Sequence, residues 1–246
     1  MIVANLYYLD EGQNLVPGEI AAITGDEARH AAQVARISEG ERVLLGDRKG
    51  RLGEAHAYSV TPKKIKFEVQ TVEIFNFCHP EISLIQALAK GGRDEMAIQA
   101  CTELGIDRII PWQAERSVPR WDQHKSEKAH ARWQRIILEA SKQSIRATVP
   151  KLSPLVRSSG IAGLGLSGQL VLLDPNGLTT LNDISPLSES EKITLIVGPE
   201  GGVTEEEKKV FMQLGARDVR VGKNILRTST AGAAALAVIN FRLGRF

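Results

Sequence analysis

The 246-residue sequence has only two cysteines, Cys78 and Cys101, and they share no metal-ligand or redox spacing. That excludes a disulfide scaffold and a Cys-based metal or redox motif, and it points to a reducing compartment. No apolar run is long enough to span a bilayer. Met1 to Asp10 also lacks a charged segment followed by an apolar one, so the expected location is the cytoplasm, with no membrane partner. Strong charge of one sign is missing as well: the net charge is +2, which permits a nucleic-acid partner without demanding one. His30, His56, His79, His124 and His130 are scattered, and none pairs with a cysteine or carboxylate at metal spacing, so no metal is expected. A nucleophile elbow is absent too, since Ser167 in Gly165-Leu166-Ser167-Gly168 does not match one, and hydrolase chemistry has little support. What is present is an ordinary globular composition, 43% hydrophobic and 24% charged, long enough for one large or two modest domains.

The pattern changes along the chain. In the first third, short β-type runs lie close together with turns between them: Leu6–Leu9, Arg42–Leu45, Glu54–Val60 and Lys64–Val72. This suggests a small antiparallel barrel or sandwich. Thr24-Gly25-Asp26-Glu27 has capping-box spacing and predicts a short helix carrying His30 and Arg36. Beyond about Glu81, apolar strands alternate with helices. Ile82–Leu88, Asp107–Trp112, Gln169–Leu173, Ile193–Val197 and Asp218–Val221 read as strands. Arg93–Leu104 reads as a helix with Met96, Ala97, Ala100, Cys101 and Leu104 on its buried stripe and Gly105 at its end, and Ser126 to about Gln143 as a long helix. Ser158–Gly168 reads as a loop or a poorly packed helix. Alternation of this kind implies an α/β fold with a parallel sheet covered on both faces. The boundary falls near Val72–Pro80, giving a β domain over 1–74 and an α/β domain over 75–246.

Two strand-to-helix loops stand out. The first is Gly198-Pro199-Glu200-Gly201-Gly202, followed by the capping-box sequence Thr204-Glu205-Glu206-Glu207. Phosphates bind at the free, positive end of a helix, and here three carboxylates already occupy that end. No Lys-Ser or Lys-Thr pair follows the glycines and no Gly-x-Gly-x-x-Gly is present, so a P-loop and a dinucleotide fingerprint are excluded. A neutral or cationic ligand that bonds exposed backbone fits this loop, and so does a plain tight turn. The second is Gly222 to Thr230, opening into the small-residue run Ala231–Val238. Ligands in parallel sheets sit beyond the strands' carboxyl ends, so two such loops in adjacent units share one crevice. Arg227, at the mouth of the second, is placed to hold an anion, either RNA phosphate or a developing negative charge. A basic stripe of Lys128, Arg132, Arg135 and Lys142, with Arg146 beyond and Arg116, Arg120 and Lys125 upstream, suits an RNA backbone, although such a stripe is usually only a solvated face.

These motifs together resemble the RsmE family, ribosomal RNA methyltransferases of the SPOUT superfamily. The resemblance rests on Leu195–Gly202 and Val221–Thr228, and continues through Lys90–Met96, Thr102–Ile106, Glu115–Val118, Glu139–Ser144, Gly25–His30 and Val34–Arg36. It implies a PUA-like β-barrel that helps bind RNA, ahead of a SPOUT domain with a C-terminal trefoil knot. It further implies a homodimer with the active site at the interface, S-adenosyl-L-methionine as cofactor, and N3-methyluridine in small-subunit (16S) ribosomal RNA, within the assembled 30S subunit, as product. By the same resemblance, Val197, Gly198, Pro199, Glu200, Gly201, Gly202, Val221, Gly222, Asn224, Ile225, Leu226 and Arg227 bind the cofactor, and Leu172 or Leu173 lines the adenine pocket. Arg227 and Glu200 are the catalytic candidates. His30, Arg36, Arg116, Arg120, Arg132 and Arg135 are the RNA-binding ones. One departure is visible: Ser229 stands where the family usually has a glutamate, so another group, Glu200 or a water, has to do that residue's work. Two other readings remain open at this level: a non-catalytic RNA-binding or ribosome-assembly factor that keeps the fold, and a methyltransferase acting on tRNA.

Overall fold

The computed structural model describes residues 5–10, 12–76, 80–122, 125–184 and 192–245. Cys78, His79 and His124 lie outside them. The chain forms two compact units, Met1–Phe77 with Ser141–Val149, and Cys78–Ala140 with Pro150–Phe246.

The first unit contains β1 (Leu6–Tyr8), β2 (Ile20–Thr24), α1 (Gly25–Gln33), β3 (Arg42–Gly46), β4 (Arg51–Val60) and β5 (Lys64–Ile74). The strands line up as β1-β3-β4-β5-β2, antiparallel except for β1, which runs parallel to β3. The two-residue period sorts β5: Ile65, Phe67 and Val69 enter the core while Lys66 and Glu68 face water. Ala28 and Ala31 of α1 join that core, and Tyr7 stacks on Phe67 with ring centroids 6.2 Å apart. Ser141–Val149 belongs here through backbone bonds, Gly50 N donating to Ala147 O at 3.0 Å and Val149 N to Arg48 O at 3.2 Å.

Three local expectations are corrected. Thr24 does stand at the N-cap of α1, but its side chain makes no cap bond; its hydroxyl donates instead to Asp10 Oδ2 at 2.7 Å. Helix α1 ends at Gln33, so Arg36 lies beyond it, in the left-handed region with φ of 55°. Lys142 leaves the solvated basic stripe, because its ammonium is mostly buried and pairs with Glu27 Oε2 at 2.8 Å.

The second unit contains β6 (Glu81–Ala87), α2 (Arg93–Glu103), β7 (Arg108–Gln113), α3 (Ser126–Gln143, of which Ser141–Gln143 count with the first unit), β8 (Lys151–Leu152), β9 (Val156–Arg157), β10 (Gln169–Leu173), β11 (Thr179–Thr180), β12 (Lys192–Val197), α4 (Glu205–Gln213), β13 (Arg217–Arg220) and α5 (Thr228–Arg242). The sheet order is β11-β13-β10-β12-β6-β7-β8, with β9 also on β7, and every described pairing is parallel. Strands β6, β7, β10 and β12 are buried along nearly their whole length, as unbroken apolar runs demand of a doubly covered sheet. Ser158–Leu164 forms a short 3-10 helix.

Helix α2 is rotated relative to expectation. Asp94, Ala97, Ile98, Cys101 and Thr102 are buried, whereas Met96 is 60% exposed. The cause lies in its first turn, where the Asp94 carboxylate turns inward to accept the Ala89 N–H at 3.1 Å and the Glu95 N–H at 2.9 Å. Burial raises the Asp94 pKa, and those two N–H groups offset part of the rise.

Candidate cofactor and active site

Strands β13, β10 and β12 are parallel neighbours, so the loops after them open at one edge of the sheet. They are Asp174–Gly177 after β10, Gly198–Val203 after β12, and Val221–Arg227 after β13. Portions of all three, with Arg93 and Arg116, line a cavity of about 540 Å³.

The capping box expected at Thr204 is formed. Thr204 Oγ1 accepts the Glu207 N–H at 3.2 Å, and Glu207 Oε2 accepts the Thr204 N–H at 2.9 Å. Glu207 is 2% exposed, and its Oε1 takes the Glu115 N–H at 2.8 Å and the Ser158 hydroxyl. The positive end of α4 is thus closed by its own chain, which carries the argument against a phosphate ligand. The glycines answer to close approach. A Cβ on Gly198 would lie 2.7 Å from Val203 Cγ2, and one on Gly201 would lie 3.0 Å from Arg116 Cβ. Gly202 has φ of +76°.

Glu200 latches this loop to the turn before α2. Its Oε1 accepts from Arg93 Nη1 at 3.0 Å and from the Lys90 N–H at 3.2 Å. Arg116 Nη1 donates to Gly201 O at 3.2 Å, which directs that side chain into the cavity wall. Arg227 is the N-cap of α5, its carbonyl accepts the N–H groups of Thr230 and Ala231, and its guanidinium has no side-chain partner among the described residues. Ser229, the position of the departure, is buried in the first turn of α5.

The cavity brings together Leu173, Val197, Gly198, Pro199, Glu200, Gly202, Ile225, Leu226 and Arg227 of the expected cofactor set. Leu172, Gly201, Val221, Gly222 and Asn224 are not among its lining residues; Leu172 is fully buried in the sheet and Gly222 and Asn224 are exposed. Sequence reasoning missed the loop Asp174-Pro175-Asn176, although a turn of these residue types at the carboxyl end of an apolar strand was a readable signal. Of the basic residues, Arg120 donates to the carbonyls of Ala114 and Glu115, and Arg132 pairs with Glu95. His30, Arg36 and Arg135 are exposed. Among the described residues no cluster of His, Cys, Asp or Glu could hold a metal, and no helix is long and apolar enough to cross a membrane.

An ion-pair knot supports the missed loop. Lys208 of α4 reaches Asp174 Oδ2 at 2.8 Å and Asp218 Oδ2 at 2.5 Å. Burial raises the Asp174 pKa, but Lys208 and the Asn176 N–H more than offset it and hold the carboxyl below its ordinary value. Lys208 is held above its ordinary value by hydrogen bonds to Asp174 and Asp218. The depressed Asp174 stabilises the fold fully above the ordinary carboxylate range, near pH 4, and that contribution is lost as pH falls through the folded value; the elevated Lys208 contributes fully below about pH 10.4 and loses its contribution as pH rises through its own. Lys208→Met should therefore lower Tm at neutral pH and flatten the acid limb of a Tm-against-pH curve. An acid limb identical to wild type would count against this pair.

Comparisons with known proteins address the same regions. Residues 78–240 match a family described as an RNA methyltransferase domain, and residues 23–70 match an RNA methyltransferase PUA domain. Ribosomal RNA small subunit methyltransferase E of Mycobacterium bovis is 32% identical over 250 residues, covering 100% of this chain and 94% of that one. The chain belongs to the RsmE family. The Bacillus subtilis member is 29% identical over 90% of each chain. The solved RsmE structure of Neisseria gonorrhoeae, bound to S-adenosyl methionine, superposes with a TM-score of 0.87 at 31% identity, over 97% of this chain and 98% of that one. A Legionella pneumophila structure in complex with the same cofactor gives 0.89 at 28% identity, over 98% of both chains. As an RsmE-family member the chain has an α/β methyltransferase domain and a PUA domain, which accounts for its change of pattern after the first third.

Proposed function

We propose that this chain transfers the methyl group of S-adenosyl-L-methionine to N3 of a specific uridine in small-subunit ribosomal RNA. The observation that carries the proposal is the cavity at the carboxyl ends of β10, β12 and β13, with the uncommitted Arg227 on its wall. At about 540 Å³ it lies within the roughly 300–1,000 Å³ usual for small-molecule sites. Its wall bears both Asp174, Glu200 and Glu205 and Arg93, Arg116 and Arg227, which suits a ligand carrying charges of both signs and no phosphate. When bound, the cofactor supplies an electrophilic methyl on a sulfonium. Backbone of Val197–Gly202 and Ile225–Arg227 would hold it, with Leu173 against the adenine.

The chain's own part in the chemistry follows from these positions. Uridine N3 is a weak acid and must lose its proton before or during attack; with Glu200 committed to Arg93 and Lys90, that proton passes to water, and the methyl leaves the sulfonium as its electron pair returns to sulfur. Arg227 stabilises the resulting uridinate, since a guanidinium without a protein partner keeps its donors for charge that develops in the transition state. Glu200, committed to Arg93 and Lys90, holds the glycine loop in place. His30, Arg36 and Arg135 then contribute cation contacts to RNA backbone.

The same reading includes a functional division at 74/75, a C-terminal trefoil knot, a cytoplasmic homodimer with its active site at the interface, and the assembled 30S subunit as substrate. In favour of the knot, the final strand β13 lies beyond β10 while the helix after it returns to pack on α2, β6 and β12. In favour of the dimer, α5 leaves Val238 and Phe241 exposed.

The deciding experiment is deletion of the gene followed by mass spectrometry of small-subunit ribosomal RNA. Loss of one N3-methyluridine, restored when purified protein and S-adenosylmethionine are added to subunits from the deletion strain, is expected. An unchanged N3-methyluridine signal in that strain would sink the proposal.

A further inference from the structure

Gln86 stands near the carboxyl end of β6 with no exposed surface. By the two-residue period of the strand it shares a sheet face with Leu84. Helix α5 covers that face closely: a Cβ on Gly232 would lie 3.3 Å from Leu84 Cδ1 and 3.4 Å from Val197 Cγ2. A primary amide in such a place carries a desolvation penalty unless all its polar atoms are paired. They are not. Its Nε2 donates to Thr228 Oγ1 at 3.0 Å and to Ala87 O at 3.1 Å, while its Oε1 is buried with no partner. A side chain kept there despite that cost calls for a reason other than packing.

The bonds supply one. Thr228 Oγ1 donates to Gly198 O at 2.9 Å. A hydroxyl has one hydrogen, and with the Gln86 amide donating into its lone pair, that hydrogen is directed at Gly198. Gly198 opens the glycine loop, and Thr228 directly follows Arg227, the N-cap of α5. A buried relay from Gln86 to Thr228 to Gly198 therefore ties the loop proposed to hold the cofactor to the loop that presents Arg227.

We infer that Gln86 is a positioning residue for methyl transfer, acting through the Thr228 hydroxyl to keep the Arg227 loop in register with the Gly198 loop. The inference rests on the functional reading above. It makes a demand that packing alone would not make. Leucine in place of the amide removes the desolvation cost of the unpartnered Oε1 but leaves Thr228 Oγ1 and Ala87 O without this donor, two opposed effects that keep the net change in stability small, while the bond that orients Thr228 is lost outright.

The test uses the full-length chain and four variants: Gln86→Leu, Thr228→Ser, Thr228→Val and the double variant Gln86→Leu with Arg227→Ala. Calorimetry reads the dissociation constant of S-adenosylmethionine, thermal unfolding reads Tm, and single-turnover methylation of small ribosomal subunits reads the rate of the chemical step. Gln86→Leu should keep Tm within a few degrees of wild type, weaken cofactor binding, and slow methyl transfer by about 10- to 100-fold, the upper figure being the cost of a misplacement of about 1 Å. Thr228→Val should do the same, whereas Thr228→Ser, which retains the hydroxyl, should stay close to wild type. In the Arg227→Ala background the rate effect of Gln86→Leu should disappear, because the group it positions is gone. A Gln86→Leu enzyme with unaltered rate and affinity overturns the inference, and so does one whose losses merely track a lowered Tm or persist in full without Arg227. Wild-type protein that binds no S-adenosylmethionine sinks the functional reading as well; active wild type beside an unaffected Gln86→Leu sinks only this inference.

Discussion

Arg227→Ala should lower the rate of methyl transfer about 100- to 1,000-fold, the cost typical of removing one preorganised donor from a developing anion. The dissociation constant for S-adenosylmethionine should change little. The asymmetry follows from how the loop is built. Arg227 contributes to the helix start through its backbone, whose carbonyl accepts Thr230 and Ala231 N–H groups, and alanine retains that carbonyl. Its guanidinium makes no described side-chain bond, so truncation leaves no buried group unpaired in the free protein. The whole loss then falls on the step in which uridine N3 carries negative charge. Rapid-quench methylation of small subunits together with calorimetric titration of the cofactor separates the two quantities. A variant that methylates at the wild-type rate would remove Arg227 from the chemistry, and one that loses cofactor binding in proportion would make it a structural part of the cofactor loop.

Glu207→Ala should have the largest effect on stability. The Glu207 carboxylate serves four donors at once: the Thr204 N–H and hydroxyl through Oε2, and the Glu115 N–H and Ser158 hydroxyl through Oε1. Alanine abandons all four in a buried setting, each left unmade at a cost of about 1–3 kcal/mol before relaxation and water entry recover part of it. A net loss of roughly 3 kcal/mol corresponds to a fall in Tm of about 6–12 °C in a protein of this size. Glu207→Gln, which keeps one acceptor oxygen, should fall in between. The glycine loop precedes the Thr204 cap directly, so the alanine variant should also weaken cofactor binding, which differential scanning calorimetry with and without S-adenosylmethionine reads in one experiment. A Tm within a degree or two of wild type would show that the capping box is dispensable.

Much of this was legible before any coordinates. Strands β1, β3 to β7, β10, β12 and β13 were found because burial on one face imposes a two-residue period and burial on both imposes an unbroken apolar run, and each pattern is local; β2 and the two-residue strands β8, β9 and β11 were not. The Thr204 capping box and the acids that argue against phosphate at α4 were likewise written into consecutive residues, and the structure formed the box as spelled. The same spelling at Thr24 did not form one: its hydroxyl is turned to Asp10, fourteen residues earlier, and the Glu27 carboxylate that would close the box is held by Lys142. A local motif holds only where no distant partner outbids it.

What the sequence alone determined was therefore the fold class, the two-part organisation, two of the three loops at the site and, through the combined motifs, the family. The tertiary structure decided which residues meet. It brought Asp174–Asn176 into the cavity, turned Arg116 onto Gly201, tied Glu200 to Arg93, and joined Gln86 to Thr228 across 142 positions of sequence. It also rotated α2 so that Asp94 is buried and Met96 exposed. The physical reason is the same in each case. Hydrogen bonds and ion pairs between side chains distant along the chain depend on how parallel strands are ordered in the sheet, and strand order is set by long-range packing that leaves no period in the sequence.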